Sequence, residues 1–248
     1  MATLTMTPMK KLTSLVFAGF IIVGLSSPGS AVPIGSDNEG MDYIFKGRRL
    51  KWLSAGAYVV ETKRGITLGG TTVETTLSTR QQLGYIGVNI APWMTLYGLG
   101  GGSEAKLGGG AYSSSDSVYG IGARFNVLNH EIMEPVMMED RWRVSLGVQY
   151  SVNQTDVGPV TWDWDELSVA LTFGIVNDTL GNKYFAPESI LLYAGPIYSV
   201  LDSDRFAEKE DLGVVVGAEI FITDSLSLDL EVQSFDETSM AGGINIHF

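Results

Sequence analysis

The sequence contains no cysteine, and this absence excludes several kinds of site at once. Disulfide bonds, thiolate metal centres, a cysteine nucleophile and a lipidated N-terminal cysteine all require that residue. Basic residues are also scarce, because 16 Lys and Arg stand against 28 Asp and Glu for a net charge of −12. This balance argues against a nucleic-acid partner, which binds to a basic face. Histidine is limited to His130 and His247, which leaves few groups for acid–base catalysis.

Long apolar runs are missing as well, except for one near the N-terminus. Lys10 and Lys11 precede the uncharged run of residues 12–25, and small residues follow at 26–31. A helix of this length rises about 21 Å, which is short of the ~30 Å hydrocarbon core of a bilayer. We therefore expect residues 1–31 to be a cleaved signal peptide, with a retained membrane anchor as the alternative.

Beyond residue 52, apolar residues recur at every second position, which is the spacing of a strand with two unlike faces. The clearest case is 141–152, where Trp142, Val144, Leu146 and Val148 share one face. The same alternation predicts ten strands, at about 53–63, 80–91, 94–104, 119–127, 141–152, 167–175, 188–201, 212–222, 226–232 and 239–248. These lengths suit a tilted membrane strand of ~9–11 residues better than the ~5–6 residues common in soluble sheets.

The second face of these strands carries charged residues at mid-strand, where a soluble core cannot easily bury them. They are Arg124, Arg143, Glu219, Asp229 and Glu231. In a membrane barrel the faces are inverted, so that large apolar residues meet lipid and small or polar residues line the lumen. Because unpaired strand edges cannot exist in hydrocarbon, such a sheet must close. The sequence therefore predicts an all-β, antiparallel up-and-down transmembrane β-barrel of about 10 strands, with 8 or 12 as alternatives.

The C-terminal strand places Ile244, Ile246 and Phe248 on one face, with Phe248 as the last residue. Here the sequence resembles bacterial outer-membrane β-barrel proteins, and residues 217–248 resemble the final two hairpins of small barrels of the OmpA/OmpX/OmpW type. The resemblance implies a Gram-negative outer-membrane location and makes these three residues a signal for the barrel-assembly machinery. Two connections, 129–139 and 178–188, are longer than the short periplasmic turns usual in this class.

This resemblance and the strand pattern define a domain order and a topology. We expect a periplasmic lead-in at 32–50 and the barrel at 51–248, with both termini in the periplasm. Tight periplasmic turns are expected at 91–93 and 223–225, and the external segments at 65–76, 105–116, 153–163, 202–210 and 237–239. The candidates for the aromatic girdles at the two membrane interfaces are Trp93, Trp142, Tyr119, Tyr150 and Tyr198.

The five inward charges fall at similar depth on this topology. We therefore predict a lumenal ion-pair network of Arg124, Arg143, Glu219, Asp229 and Glu231 that constricts the barrel, with independently solvated lumen charges as the alternative. Two acidic stretches, 162–166 and 202–211, are interpreted as solvated loops. A divalent-cation site bridging lipopolysaccharide there is the weaker hypothesis, because no EF-hand spacing occurs.

No nucleophile–base pair and no phosphate-binding motif stand out in the sequence, so we expect no enzyme activity, cofactor or metal. The predicted function is a structural or surface-interaction barrel with a narrow, charge-constricted lumen. The expected partners are outer-membrane lipids, lipopolysaccharide and, during biogenesis, the barrel-assembly machinery. The alternatives are a passive porin for small solutes, an outer-membrane enzyme and a secreted lipocalin-like binder. The oligomeric state stays open.

Overall fold

The computed structural model describes residues 52–69, 72–91, 93–133, 139–157, 160–178, 189–223 and 225–248. The predicted signal peptide and lead-in, residues 1–31 and 32–50, lie outside these described residues. In the described part, no helix is both long and apolar enough to cross a bilayer.

The described chain forms eleven strands, and ten of them close into an antiparallel barrel. Their bounds are β1 Leu53–Leu68, β2 Glu74–Ala91, β3 Met94–Leu107, β4 Asp116–Met133, β5 Glu139–Val157, β6 Val160–Asp178, β7 Ser189–Asp202, β8 Phe206–Glu208, β9 Leu212–Thr223, β10 Leu226–Ser234 and β11 Thr238–His247. Successive strands pair in a meander, and β11 pairs with β1 to close the cylinder. The short β8 extends the sheet by pairing with residues 66–68 of β1. The predicted all-β, antiparallel ten-stranded barrel is confirmed.

The wall of the barrel does not have the same height all around the ring. At one end, here called the terminal end, Ser54 pairs with His247, and short hairpins pair Ala91 with Met94 and Thr223 with Leu226. At the opposite, far end, β5 and β6 are 19 residues long, whereas β10 and β11 have 9 and 10. The wall is therefore tallest along the β5–β6 hairpin.

Two predicted connections are strand wherever the structure describes them. The external segment 153–163 belongs almost wholly to the β5–β6 ladder, which continues until Val157 pairs with Val160. The connection predicted at 129–139 is too long as well, because β4 runs to Met133 and pairs there with Glu139 at the start of β5. An irregularity between Asn126 and Leu128 explains this second error. A bulge shifts the alternation by one residue and hides the continuation of the strand.

Side chains alternate between the two faces of the wall as expected for an inverted barrel. Outward positions hold large apolar residues that stay exposed, such as Ile86, Leu230 and Val216. Inward positions hold buried Arg, Asp, Glu, Ser and Asn residues. Leu146 lies on the outward row between its ladder neighbours Phe125 and Leu171 and is buried there. The described barrel thus has an apolar exterior and an interior in which buried polar residues alternate with three apolar clusters.

Three inward glycines make room for tyrosine rings from the neighbouring strand. The cross-strand pairs are Gly56 with Tyr85, Gly122 with Tyr97, and Gly217 with Tyr193. A Cβ added at any of the three glycines would overlap the paired ring. The rings can therefore lie flat against the wall and direct their hydroxyl groups into the lumen, where the charged residues lie.

Candidate functional site in the lumen

The structure brings the five predicted lumenal charges into the barrel interior. Arg124 lies on β4, Arg143 on β5, Glu219 on β9, and Asp229 and Glu231 on β10. All five side chains are at most 5% exposed. They occupy opposite walls, because β4 and β5 stand across the ring from β9 and β10.

Arg124 is the cation that all three carboxylates share. The Glu219 carboxylate interacts with Arg124, His247 and Arg143. Asp229 is attracted by Arg124 and repelled by both Glu219 and Glu231, and Glu231 in turn interacts with Arg124. Like charges at such close range destabilise one another unless a counter-charge offsets the repulsion. The arginines of β4 and β5 provide that charge across the lumen.

Neutral side chains complete the coordination of these carboxylates. The Tyr193 hydroxyl donates to Glu231 Oε2 at 2.8 Å and approaches Asp229 Oδ1 at 3.3 Å. Gln233 Nε2 donates to Glu231 Oε1 at 2.7 Å, and Ser227 Oγ donates to Glu219 Oε1 at 3.1 Å. Buried carboxylates are tolerated only when such hydrogen bonds replace their water.

Two buried ionisable residues of this interior, Arg141 and His247, were not part of the predicted network. Arg141 is inward and buried. It lies two residues before Arg143 on the same strand, which was enough to place both side chains on the same face. His247 is also buried, with its ring stacked on Phe221 at 6.0 Å and its Nε2 3.2 Å from Ser227 Oγ. Its alternation with Ile246 could have placed it in the lumen, but a penultimate residue looked like a strand end.

An apolar cluster, here called the cap, packs inside the barrel at the far end. Trp162 stacks on Phe206 at 5.7 Å, and Trp164 meets the same ring at 6.3 Å. The remaining buried members are Ile66, Leu77, Ala105 and Leu201. The prediction that 162–166 is a solvated loop is therefore wrong for both tryptophans, because β6 continues through this segment and its even-numbered residues point inward.

Arg64 is buried beside the cap and is held by the backbone rather than by a single carboxylate. Its Nη2 donates to Ser199 O at 3.2 Å and to Glu210 O at 2.7 Å, and its guanidinium lies 3.8 Å from the Phe235 ring centroid. On β8 at the barrel mouth, partial burial raises the pKa of the Glu208 carboxyl. The Arg64 contacts join β7 and the segment between β8 and β9 to the extended end of β1.

Outward aromatic residues occur near both ends of the wall. Trp93 and Trp142 are exposed towards the terminal end, and Trp93 stacks on Phe125 at 6.4 Å. Tyr119, Tyr150 and Tyr198 are exposed towards the far end, where the Tyr150 hydroxyl donates to Asp165 Oδ2 at 2.6 Å. All five predicted girdle residues therefore lie on the outer surface, in two levels.

The C-terminal residues Ile244, Ile246 and Phe248 also lie on the outer surface and are exposed. The backbone N–H of Phe248 donates to the Leu53 carbonyl at 2.8 Å, which ties the last residue to the start of β1. Their role as an assembly signal stays a prediction. In the described ranges, no group of three or more His, Cys, Asp or Glu side chains is arranged to hold a metal ion.

The sequence matches no protein-family model and no curated protein. The structure is similar to solved outer-membrane proteins at low identity. One is an outer membrane channel from Pseudomonas putida F1, with 11% identity, a TM-score of 0.41 and coverage of 81% of this chain and 96% of that one. Another is the translocator domain of autotransporter NalP from Neisseria meningitidis, with 12% identity, a TM-score of 0.34 and coverage of 88% and 100%. At these values the likenesses assign neither family nor activity, and the OmpA/OmpX/OmpW resemblance stays a prediction.

Proposed function

We propose that this protein is an integral outer-membrane β-barrel with a structural or surface-interaction role and a closed lumen. The observation that carries the proposal is the inverted barrel wall, with exposed large apolar residues outside and buried ionic residues inside. In water such an exterior would be an aggregation hazard, because soluble monomers rarely expose apolar patches above a few hundred Å². In hydrocarbon it is the stable arrangement.

The dimensions of the apolar exterior support a bilayer. From Trp142 to Tyr150, β5 advances eight residues, or about 26 Å along the strand at ~3.3 Å per residue. At the usual tilt of ~40° this spans about 20 Å, close to the ~25 Å apolar band of outer-membrane barrels. The aromatic residues at both levels of this band match the interfacial girdles of such proteins.

A closed lumen is supported by two obstructions in series. The charged layer around Arg124 and Glu219 spans the interior, and the cap of Trp162, Trp164 and Phe206 packs inside its far end. A polar lining is the one feature that favours the alternative, a passive pore for small solutes. Planar-bilayer recording separates the two functions, since a steady ion current would overturn the closed-barrel proposal.

The surface-interaction role is supported by the height of the wall. β5 and β6 have 19 residues each, roughly eight more than a membrane-spanning strand requires. Their hairpin therefore extends beyond the bilayer at the far end, where a folded surface is presented to solvent. In the proposed orientation this end faces the cell exterior, and the lead-in of residues 32–50 is on the periplasmic side.

We propose no catalytic role. Among the described residues, Ser227, His247 and Glu219 come nearest to a hydrolase triad, but the Ser227 hydroxyl donates to Glu219 Oε1, so its proton is directed at the carboxylate and not at the imidazole. All three side chains are fully buried. A general base must reach a substrate proton, and these groups are sealed inside a packed barrel.

Heat-modifiable migration of the detergent-extracted protein tests the membrane assignment. Folded barrels resist unfolding in detergent gels, so the unheated sample should run ahead of the boiled one. Recovery from the membrane fraction should require detergent. Quantitative recovery of folded protein in detergent-free buffer would contradict the proposal and favour a secreted soluble binder.

A further inference from the structure

The outer surface carries a depression that a smooth lipid-facing wall does not need. It has a volume of about 560 Å³ and lies over β11, β1 and β2. The outward residues that line it are Ala57, Val59, Gln82, Gly84, Gly242 and Ile244. This depression, here called the groove, is continuous with the outward Gly100 of β3, which pairs with Gly84.

Local packing does not require the two glycines of the groove. A Cβ at Gly84 would come no closer than 3.8 Å to the Gly56 carbonyl, and one at Gly242 would lie 3.4 Å from Leu230 Cδ2. Both are ordinary contacts, unlike the overlaps at the inward Gly56, Gly122 and Gly217. Larger side chains would therefore fill the groove without disturbing the barrel.

Cationic residues are concentrated directly beyond the groove towards the far end. Arg80 is the next outward residue of β2 beyond Gln82 in the direction of the far end. Lys63 and Lys106 lie on the adjacent strands β1 and β3. The Lys63 and Arg80 side chains are 43% and 44% exposed, and each lies 3.7 Å from Glu61. Lys106 Nζ and the Arg80 guanidinium lie 4.5 and 4.7 Å from the Tyr112 ring centroid.

The opposite sector of the same rim is acidic. Its outward positions hold Asp163 and Asp165 on β6 and Asp202 on β7. The outward rows of β1–β3 hold these three cations against Glu61 and Glu104, which flank Arg80 on the neighbouring strands, so this sector is less acidic than the opposite one. An anionic headgroup is therefore favoured at the sector that also contains the groove, relative to the acidic sector on the other side.

We propose that this groove binds one acyl chain of a phosphorylated glycolipid of the lipid A type, with its phosphates on Arg80 and Lys63. The inference rests on the proposed membrane location and orientation, in which the far end lies in the outer leaflet. Arg80 and Lys63 lie on neighbouring strands ~4.8 Å apart and are offset by two residues along the strand, so each can meet a different phosphate of a headgroup with two phosphates. The exposed amide of Gln82 lies between them and the groove, within reach of the amide and ester groups of the lipid.

Native mass spectrometry of the full barrel in detergent tests this assignment. Bisphosphorylated lipid A, monophosphorylated lipid A and phosphatidylglycerol are titrated separately onto wild type, Gly84→Leu and Gly98→Leu. Gly98 is a matched control, because it is also outward and open, with its nearest Cβ contact at 4.0 Å, but it does not line the groove. A further variant, Lys63→Gln with Arg80→Gln, removes the two cations.

Wild type should bind bisphosphorylated lipid A most tightly. Gly84→Leu should weaken that binding about tenfold, Gly98→Leu should leave it within about twofold, and the cation variant should abolish the preference for two phosphates. Equal effects of Gly84→Leu and Gly98→Leu, or equal affinity for phosphatidylglycerol, would overturn the inference. Heat-modifiable migration is recorded for every variant, so that loss of lipid binding by an intact barrel counts against this site alone, whereas a detergent-independent protein counts against the membrane proposal.

Discussion

Glu219 and Asp229 stand directly opposite each other across the β9–β10 ladder, and both carboxylates are buried inside the barrel. Glu231 follows on the same inward face, so three acidic side chains crowd one wall. The three negative charges are tolerated because Arg124 on the opposite wall interacts with all three carboxylates. The central cation therefore determines the stability of the layer.

Replacing that cation should be costly. Arg124→Met leaves three buried carboxylates without their shared counter-charge, and removal of one partner of a buried ion pair typically costs about 3–5 kcal/mol. Equilibrium unfolding in detergent or lipid should show a loss of this size. The control Arg80→Met removes an exposed cation and should cost less than about 1 kcal/mol. Equal losses for the two variants would mean that the lumenal charges are independently solvated.

The glycine–tyrosine pairs predict that a substitution at the glycine destabilises the barrel and that a second substitution at the tyrosine restores part of the loss. Gly217→Val places a side chain against the Tyr193 ring and should destabilise the barrel by about 1–3 kcal/mol through overpacking. Tyr193→Ala in the same chain should recover part of that loss, because it removes the obstructing ring. A double-mutant cycle measures the coupling, and strictly additive effects would contradict the packing described here.

The pairing of β8 with β1 should depend on pH. Burial raises the pKa of Glu208, so the folded barrel mouth binds a proton more tightly than the unfolded segment does. This contribution to stability is fully present below the ordinary glutamate pKa and is lost as pH rises through the raised value. Amide-exchange protection in Phe206–Glu208, corrected for intrinsic rates, should therefore be greater at acidic than at neutral pH. Glu208→Gln should remove the difference, and a wild-type profile unaffected by that substitution would contradict the assignment.

Conductance tests the two obstructions of the lumen. The wild-type barrel should carry no steady current in a planar bilayer, and neither should Trp164→Ala with Phe206→Ala, since the charged layer remains. Adding Arg124→Ser to that pair should open a narrow path. A steady current through the wild type would show that the lumen is a pore, and a silent triple variant that migrates as a folded barrel would show that another element blocks it.

The barrel was predictable from sequence because alternation survives in most strands. Residues 141–152 and 212–222 show two unlike faces without ambiguity, and the structure keeps the direction of both, although β5 extends beyond the predicted 141–152 at each end. The lumenal placement of Arg124, Arg143, Glu219, Asp229 and Glu231 followed from the same parity, without any long-range information. Local pattern is sufficient where each strand must present one face to each environment.

The sequence predictions failed where a strand does not need to be apolar on its outer face and polar on its inner face. At the far end, the outward face of β6 is acidic at Asp163 and Asp165, so the segment looked like a loop although its inward tryptophans are packed. At the terminal end, the irregularity after Asn126 reversed the parity and concealed the end of β4. The roles of Tyr85, Tyr97 and Tyr193 were also missed, because each depends on a glycine in another strand.

The direction of the apolar face is tested most directly by methyl NMR of the barrel in lipid nanodiscs. Val214, Val215 and Val216 are consecutive, but the outer two side chains are 53% exposed and the middle one is fully buried. Nuclear Overhauser contacts to lipid acyl chains should appear for Val214 and Val216 and be absent for Val215. Contacts at Val215 without contacts at its neighbours would show that the wall is turned the other way and would contradict the membrane barrel.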